Sequence, residues 1–419
     1  MADGGPVLGI DFGTSNSAAG MLLEGRAHLF EVEAGAKTLP TAFFFEFDTR
    51  ETLIGTAATQ ALIEGRDGRF MRALKRVLGT PLMHEERQVL NERVTFVEII
   101  ARFLRQVKTL AEAESGLVFE RALSGRPVHF HDHDPGRDHK AEADLRACYL
   151  AAGFEDVAFM LEPEAAAVSS GAAAGGRAAG LIVDIGGGTS DFSVFESGRG
   201  DLRIIANHGV RIGGTDFDRA LSILSVMPLL GKDTLLRKEM GPDLTPTPNA
   251  IFNELATWEK IPFLYNGKTR KLAADMVKLA VEPRKLGRLS EVLINELGHD
   301  LAFLVEQGKI AANGTQGDAQ IDLGVLEPGL AAGLGAGLVE EALGAHLEAI
   351  REAAAETIRR AGMKSGQIDK VIYVGGSSLI SLVPLAMRDL MPGADHQASD
   401  VFTAVADGLA IASGGMTDL

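Results

Sequence analysis

Residues 181–195 read LIVDIGGGTSDFSVF, and the predicted architecture of the chain follows from this stretch. Its apolar first half predicts a buried β-strand ending near Asp184, and its second half alternates like another strand. The three glycines at 186–188 permit a turn with unobstructed backbone amides, which can converge on an anion. Asp184 and Asp191 flank the turn, where carboxylates can hold a hydrated Mg²⁺ against phosphates. The stretch therefore predicts a phosphate-binding hairpin, with an ordinary glycine-rich hairpin as the alternative.

A second copy of this pattern lies near the start of the chain, where residues 7–20 read VLGIDFGTSNSAAG. The copy again runs from an apolar strand through an aspartate, Asp11, into a glycine turn with Thr14, and then into another strand. Each copy offers a carboxylate, backbone amides and a threonine hydroxyl, which in the later copy is Thr189. Two such hairpins predict duplicated lobes that face each other across a cleft and hold a polyphosphate with its metal from both sides.

The composition of the 419-residue chain argues against several classes of protein. With 46% hydrophobic residues the chain can bury large cores, and its length suits two lobes. The net charge of -16 argues against nucleic acid or an anionic membrane as a partner, because both require a basic surface. The single cysteine, Cys148, has no intrachain partner for a disulfide, and no apolar run is long enough to span a bilayer. These features predict a cytoplasmic protein.

Two further stretches place polar groups where strands end and helices begin. Glu162 follows a predicted strand at residues 157–161 and precedes a helix. A carboxylate in this place commonly reaches a ligand or a metal-bound water, and the alternative is a partner for the helix dipole. The glycine pair at residues 213–214 feeds a helix whose amides point towards anything bound at its N-terminus.

Three charged residues lie on stretches with a helical pattern. Lys75 lies in the predicted helix at residues 70–79, and Glu306 and Lys309 lie on a long predicted helix at residues 289–312. The alternatives are a solvated surface cation for Lys75 and a surface ion pair for the other two residues.

The loop at residues 129–139 contains four histidines and three aspartates, which are ligand types for Zn²⁺. We do not predict a metal site there, because the spacing of the side chains within a loop that contains proline and glycine matches no standard ligand signature. We expect a polar loop at the end of a strand.

Taken together, these motifs resemble the seventy-kilodalton heat-shock (DnaK-like) chaperone family, and through it the actin and sugar-kinase ATPase fold. The resemblance covers nearly the whole chain as a nucleotide-binding domain. It rests on ordered motifs at residues 11–15 (DFGTS), 75 (K), 162–167 (EPEAAA), 184–191 (DIGGGTSD), 212–218 (IGGTDFD) and 374–377 (VGGS).

The resemblance implies an α/β protein with the actin-like ATPase fold, in which two duplicated, ribonuclease H-like lobes surround a central nucleotide cleft. Residues 1–176 would form lobe I, and residues 177–400 would form lobe II with an inserted subdomain at about 231–288. Residues 401–419 would form a helix that returns to lobe I. The full chaperones continue into a linker and a peptide-binding domain where this sequence stops, so we expect no peptide-binding domain.

The resemblance also implies a site for ATP or ADP with Mg²⁺. Asp11, Glu162 and Asp184 would hold the metal through water, while Lys75 and Asp184 orient the attacking water. The remaining predicted site residues are Thr189 for charge stabilisation, Asp191 as a candidate ligand for K⁺, and, as nucleotide contacts, Gly13, Thr14, Ser15, Gly186, Gly187, Gly188, Gly213, Gly214, Glu306, Lys309, Gly375, Gly376 and Ser377.

Within the family, residues 125–130 and 211–231 are most similar to the short YegD-like proteins. Ile310 and Leu379 stand where the family has arginines beside the adenine, and Asn313 stands where it has a serine. Because a guanidinium plane over a base contributes roughly 1 kcal/mol, we expect weaker or less selective adenine binding.

We therefore predict an ATP-binding, chaperone-like protein that hydrolyses ATP slowly. Its candidate partners beyond the nucleotide are a protein client or a co-chaperone. Two alternatives stay open: a nucleotide-gated scaffold or actin-like assembly without useful hydrolysis, and a small-molecule kinase of the same fold. The kinase would need an acceptor pocket with a general-base carboxylate, and the sequence has no sugar-kinase acceptor motif.

Overall fold

The computed structural model describes residues 5–131, 134–171, 177–198, 201–238, 241–314, 319–398 and 403–415. In its N-terminal part the elements are β1 (Val7–Phe12), β2 (Asn16–Leu23), β3 (Arg26–Leu29), β4 (Leu39–Pro40), β5 (Ala42–Glu46), β6 (Thr52–Ile54), α1 (Thr56–Ile63), β7 (Gly68–Arg72), β8 (Arg87–Val89), β9 (Glu92–Val94), α2 (Phe96–Ser115), β10 (Arg121–Arg126), α3 (Pro135–Ala152), β11 (Asp156–Leu161) and α4 (Glu162–Ser169).

In its C-terminal part the elements are β12 (Ala178–Ile185), β13 (Ser190–Gly198), β14 (Asp201–Val210), α5 (Gly214–Leu221), β15 (Leu235–Arg237), β16 (Leu244–Pro246), α6 (Asn249–Leu255), α7 (Gly267–Leu279), α8 (Pro283–Ile294), α9 (Gly298–Gly314), β17 (Ala319–Asp322), β18 (Ala331–Leu334), α10 (Ala336–Arg360), β19 (Lys370–Val374), α11 (Leu382–Leu390), β20 (Asp395–Ala398) and α12 (Ala404–Ser413). In the part of the chain that the structure describes, no helix combines the length and apolar character needed to cross a membrane.

Two large sheets share one strand order. In the first sheet the order is β11-β10-β1-β2-β3, and in the second it is β20-β19-β12-β13-β14. In each sheet the central strand has one antiparallel neighbour, which continues into a further antiparallel strand, and one parallel neighbour, which pairs with a further parallel strand. The duplication that the two hairpin motifs predicted is therefore confirmed, since both motifs lie at the same place in equivalent sheets. We call the halves of the molecule built on these sheets lobe I and lobe II.

Each lobe has its own hydrophobic core, and a further cluster joins the two sheets. The joining cluster contains side chains of β1 and β10 in lobe I, of β12 and β19 in lobe II, and of the helices α4 and α12. The two helices approach so closely that a Cβ at Gly408 would lie 1.8 Å from the carbonyl oxygen of Ala165. A Cβ at Gly9 of β1 would lie 2.8 Å from the backbone of Leu409. Glycine is therefore required where these backbones touch.

The predicted helix at residues 70–79 is wrong. The first part of this stretch belongs to β7, where Phe70 and Met71 pair with residues of β5. Ala73 then adopts a left-handed conformation with φ of 58°, and a short 3₁₀ turn at Leu74–Val77 follows. Pairing with a neighbouring strand has overridden the local helical pattern. Lys75 consequently lies on a tight turn directly after a strand.

The predicted single helix at residues 289–312 is two helices, α8 and α9. Between them, Glu296 adopts a left-handed conformation with φ of 57°. The hydroxyl of Tyr265 donates a 2.8 Å hydrogen bond to the Glu296 carbonyl and accepts a 2.9 Å hydrogen bond from the Gly298 amide. This bridge satisfies the backbone where the helix is interrupted.

The histidine-rich loop at residues 129–139 has structural contacts in its described part, which omits residues 132–133. The carboxylate of Asp138 accepts hydrogen bonds from the amides of Phe130 and His131 and from the Arg126 side chain. His131 Nε2 lies 2.8 Å from the carbonyl oxygen of Leu78. Among the described residues no group of three or more histidine, cysteine or acidic side chains is arranged to ligate a metal. The loop joins β10 to α3 and to the turn after Lys75.

Some predicted boundaries fall outside the described residues. Residue 176, the predicted end of lobe I, is one of them, as are residues 401–402 and 416–419 of the predicted C-terminal helix.

We predict that Gly408→Ala destabilises the protein by about 1–3 kcal/mol, because the added methyl group would clash with the backbone of α4. Gly344→Ala is the matched control, since Gly344 also lies inside a helix but a Cβ there would meet nothing within 4 Å. The control should stabilise α10 by roughly 0.5–1 kcal/mol. Urea unfolding measures both changes, and equal stability of the two variants would contradict this packing.

Candidate functional site

The glycine hairpin between β12 and β13 is held by the N-terminus of α5. The amide of Gly214 donates a 2.9 Å hydrogen bond to the carbonyl of Gly186. Thr215 donates two hydrogen bonds to the carbonyl of Gly187, one from its amide at 2.8 Å and one from its hydroxyl at 2.7 Å. A Cβ at Gly213 would lie only 2.4 Å from an amide nitrogen of the hairpin. The glycine pair before α5 therefore fixes the shape of the hairpin.

The hairpin of lobe I is held by hydroxyl groups. The amide of Gly13 donates a 3.3 Å hydrogen bond to Ser17 Oγ, which in turn lies 2.8 Å from Thr41 Oγ1. The amide of Thr41 donates a 2.8 Å hydrogen bond to the carbonyl of Ser15. A Cβ at Gly13 would lie 2.0 Å from the carbonyl oxygen of Asn16, so no other residue type fits this turn.

The two hairpins lie against each other across the cleft. A Cβ at Gly187 in lobe II would lie 3.1 Å from Ser15 Oγ in lobe I. A Cβ at Gly188 would lie 1.9 Å from Arg76 Nη2, which also comes from lobe I. Sequence reasoning missed Arg76, although it directly follows Lys75. Glycines at these positions allow the lobes to approach this closely.

The backbone amides that were predicted to bind phosphate fall into two groups, those that already donate a hydrogen bond within the protein and those that do not. The amide of Gly186 donates a 3.0 Å hydrogen bond to the Thr189 carbonyl, and the amide of Gly13 is used within its own hairpin. The amides of Thr14, Gly187 and Gly188 have no acceptor within the described part of the chain. These three amides are therefore the ones that can bind an anion.

Buried charges gather beside the hairpins. Lys75 Nζ lies 2.5 Å from Glu162 Oε1, and both side chains are largely buried. Asp11 lies at the end of β1 and Asp184 at the end of β12, and both carboxylates interact electrostatically with this pair. Glu162 begins α4, directly after β11. The ends of β1 and β12, the start of α4 and the turn after β7 thus bring together the four residues that the resemblance implied for metal and water.

The carboxylates have strongly perturbed proton affinities. Burial, together with the negative charge of Glu162, raises the pKa of Asp11 to about 7, although Lys75 opposes this shift. Burial and the neighbouring Asp191, Glu162 and Asp11 raise the pKa of Asp184 well above its usual range. The buried carboxylates around Lys75 therefore carry more negative charge than the single ammonium group compensates.

The pKa of Lys75 is raised as well, which for an amine favours the charged form. Burial alone would lower its pKa, but the carboxylates of Glu162, Asp11 and Asp184 outweigh burial and raise it. Lys75 is therefore held in its charged form. Oxygen donors with surplus negative charge suit a hard divalent cation such as Mg²⁺. Among the described residues, no group of three or more histidine, cysteine or acidic side chains is arranged to hold a metal ion directly.

A very small pocket lies beside the carboxylates. Its volume is about 20 Å³, close to that of one water-sized sphere. Glu162, Asp184 and Asp191 line it, together with Ser193 and Asn207. This pocket is where the structure locates the predicted cation ligand Asp191.

A larger cavity of about 270 Å³ lies between the two lobes. The predicted residues that line it are Thr14, Ser15, Gly187, Gly214, Glu306, Lys309 and Ser377. The predicted residues that do not line it are Asp11, Gly13, Lys75, Glu162, Asp184, Gly186, Gly188, Thr189, Asp191, Gly213, Gly375 and Gly376. The cavity thus adjoins the hairpins at one end and α9 at the other.

Lys309 is fixed by a partner that sequence reasoning missed. Its Nζ lies 2.8 Å from Asp218 Oδ1 and donates a hydrogen bond of 3.4 Å to the carbonyl of Gly214. Burial raises the pKa of Asp218 to about 6, and Lys309 opposes this shift. The available signal was the motif at residues 212–218, whose last residue is this aspartate.

The turn after β19 completes the far wall of the cavity. A Cβ at Gly214 would lie 2.4 Å from Ser377 Oγ, so the turn lies against the start of α5. Gly375 has φ of 78°, and a Cβ there would lie 2.7 Å from Asp184 Oδ1. Glycine is therefore needed at residue 375 both for its backbone conformation and for space beside the carboxylate.

Ile310 and Leu379 do not line the cavity and are 64% and 40% exposed. Asn313 links the elements that carry them, because its side chain donates a 2.8 Å hydrogen bond to the Leu379 carbonyl and accepts one of 2.7 Å from the Ser381 amide. Asn313, which stands where the family has a serine, therefore joins α9 to the turn after β19.

A comparison with protein families identifies the family of this chain. The family model described as Hsp70 protein matches residues 7–227, which is more than half of the 419-residue chain. The matched region contains both hairpins, Lys75, Glu162 and the glycine pair before α5.

We predict that Asp11→Asn stabilises the metal-free protein more at pH 8 than at pH 5. The pKa of Asp11 rises from 3.8 to about 7 on folding, so the folded state holds the proton more tightly and loses stability as pH rises through this range. Asparagine does not titrate, so the gain in unfolding free energy should differ between the two pH values by about 2–3 kcal/mol.

Thermal unfolding in a chelator at the two pH values measures this difference. Asp48→Asn serves as the control, because Asp48 is exposed, and it should change neither value. An equal shift for Asp11→Asn at both pH values would contradict the raised pKa.

Proposed function

Because the chain belongs to the Hsp70 protein family, we propose that it binds ATP and ADP with Mg²⁺ between its lobes and hydrolyses ATP slowly. Members of this family are ATP-binding, chaperone-like proteins with the actin-like ATPase fold, and the chain has that fold. The observation that carries the proposal is the buried group of Asp11, Glu162 and Asp184 around Lys75, next to two glycine hairpins.

The carboxylates supply the metal contacts. Asp11, Glu162 and Asp184 would hold Mg²⁺ through water, and the ion would neutralise charge on the phosphate oxygens when bound. Their surplus negative charge, seen in the raised pKa values of Asp11 and Asp184, supports this role. Asp191 is the proposed ligand for K⁺, in the small pocket beside Asp184.

The hydrolytic step uses Lys75 and Asp184 to orient the attacking water. Lys75 is charged and fixed by Glu162, so it can present a hydrogen-bond donor at a defined point. The carboxylate of Asp184, which interacts electrostatically with Lys75, can accept a hydrogen bond from the same water. The amides of Thr14, Gly187 and Gly188, with the hydroxyls of Thr14 and Thr189, would stabilise charge on the transferred phosphoryl group.

The nucleoside is bound at the other end of the cavity. Glu306 and Lys309 would contact the ribose, with Asp218 holding Lys309 in position. Gly375, Gly376 and Ser377 would contact the adenosine. Because Ile310 and Leu379 carry no guanidinium group, the adenine is bound without cation–π stacking, which predicts weaker or less selective base binding.

The domain organisation belongs to the same proposal. Residues 1–176 form lobe I, residues 177–400 form lobe II, and residues 401–419 return to lobe I. The segment at about 231–288 is a subdomain inserted into lobe II. Within the family we assign the chain to the short YegD-like group of cytoplasmic proteins. A protein client or a co-chaperone is the proposed partner.

We predict that Lys75→Ala lowers single-turnover hydrolysis by about 100-fold or more and keeps the affinity for ATP within a few-fold. The reason is that Lys75 acts on the attacking water and lies outside the nucleotide cavity. Asp184→Asn should lose turnover as well. Lys268→Ala is the control, because Lys268 is exposed at the start of α7.

Rapid-quench measurement of ADP formation at saturating Mg²⁺-ATP gives the rates, and calorimetry on the same samples gives the affinities. Unchanged turnover in Lys75→Ala would end the catalytic assignment. Bound ATP that wild type never hydrolyses would favour the nucleotide-gated scaffold.

A further inference from the structure

The turn that carries Lys75 is held, directly after it ends, by two side chains from a distant part of lobe I. The carbonyl oxygen of Leu78 lies 2.8 Å from Nε2 of His131. The amide of Gly79 donates a 2.9 Å hydrogen bond to Oδ2 of Asp144. Both bonds are made to the backbone of the chain as it leaves the turn. We call Asp144 and His131 the exit clamp.

Asp144 is buried in α3 and uses both of its oxygens on the segment that follows the turn. It is only 3% exposed. Oδ2 accepts from the Gly79 amide, and Oδ1 lies 2.8 Å from Nε2 of His84, which ends the short 3₁₀ turn at Pro81–His84. A buried carboxylate is unfavourable unless it is hydrogen-bonded. This one therefore ties both ends of residues 79–84 to α3.

His131 brings the histidine-rich loop into contact with the same turn. A carbonyl oxygen only accepts, so Nε2 of His131 carries the proton in the bond to the Leu78 carbonyl. The carboxylate of Asp138 holds His131 in place by accepting from its amide. A Cβ at Gly79 would lie 3.0 Å from Nε2 of His131 and 2.5 Å from the carbonyl oxygen of Arg137. The loop therefore packs directly against the exit of the turn.

The turn has two other supports. Before it, β7 pairs with β5, and at its centre the ammonium of Lys75 pairs with Glu162. Ala73, at the start of the turn, has a left-handed conformation with φ of 58°. A non-glycine residue in this conformation is costly and persists only where its surroundings hold it. Without the exit clamp, the backbone after Lys75 would lose its support on one side.

We propose that the exit clamp positions the ammonium group of Lys75 for the attacking water. Asp144 and His131 are positioning residues, because neither lines the nucleotide cavity and both act through the backbone of residues 78–79. This inference rests on the proposed role of Lys75 in hydrolysis. A displacement of a reacting group by about 1 Å can lower a rate by roughly 100-fold, so a small movement of the turn is enough to affect turnover.

The test is single-turnover ATP hydrolysis by the full chain at saturating Mg²⁺-ATP, with ATP affinity measured by calorimetry. Asp144→Ala should lower the rate by about tenfold to a hundredfold and leave the affinity within about threefold of wild type. Asp144→Asn should restore most of the rate. Its amide oxygen can still accept from Gly79, and its amino group can donate to the unprotonated Nε2 of the other His84 tautomer.

His131 gives a second test that does not require a change at a buried residue. His131→Ala should lower the rate by about threefold to thirtyfold at unchanged ATP affinity. His131→Gln should restore it, because a glutamine amide can donate to the Leu78 carbonyl. Asp156→Ala is the matched control: its carboxylate also bonds a side chain of α3, that of Arg146, and a backbone amide, but at the start of β11. It should hydrolyse ATP at the wild-type rate.

A double variant separates positioning from a general loss of structure. In a Lys75→Ala background, Asp144→Ala and His131→Ala should lower the residual rate no further, because the clamp acts through Lys75. A merely structural role would lower the rate by the same factor in both backgrounds, and that result would overturn the proposal.

Two further results mark where a failure lies. Wild-type rates in Asp144→Ala and His131→Ala, together with an impaired Lys75→Ala, would overturn the exit clamp alone. A wild-type rate in Lys75→Ala, or no hydrolysis by wild type, would overturn the proposed hydrolytic role of Lys75 and the clamp with it. The two failures are therefore distinguishable.

Discussion

The structure depends on a surplus of buried negative charge. Asp11, Glu162 and Asp184 lie around one ammonium group, that of Lys75, in a region shielded from water. Buried carboxylates are unfavourable unless cations or protons compensate them, and the raised pKa values of Asp11 and Asp184 record this cost. A site with this character favours a bound cation, and the nearby amides favour the anion that accompanies it.

The rest of the fold holds those charges in place. Two sheets with the same strand order direct the ends of β1 and β12 at one point, and α4 and α12 pack between the sheets. Close backbone contacts at Gly408 and Gly213 leave no room for side chains, so the arrangement is specified by small residues as much as by apolar ones.

The sequence reveals the features that are local. Both hairpins could be predicted because strand, aspartate and glycine turn are consecutive, and their duplication predicted the paired sheets. The turn at Lys75 could not be predicted, since strand pairing with β5 decides it. Neither could the ion pair of Asp218 with Lys309, because these residues are distant in sequence and meet only in the folded chain.

The measurement that tests the account most directly is calorimetric titration of wild-type protein with ATP, with Mg²⁺ and with a chelator. The account predicts one ATP bound per chain, with affinity that falls strongly when Mg²⁺ is removed, because the carboxylates then face the phosphates without a cation between them. Binding that is absent at millimolar ATP, or equally tight without Mg²⁺, would contradict it.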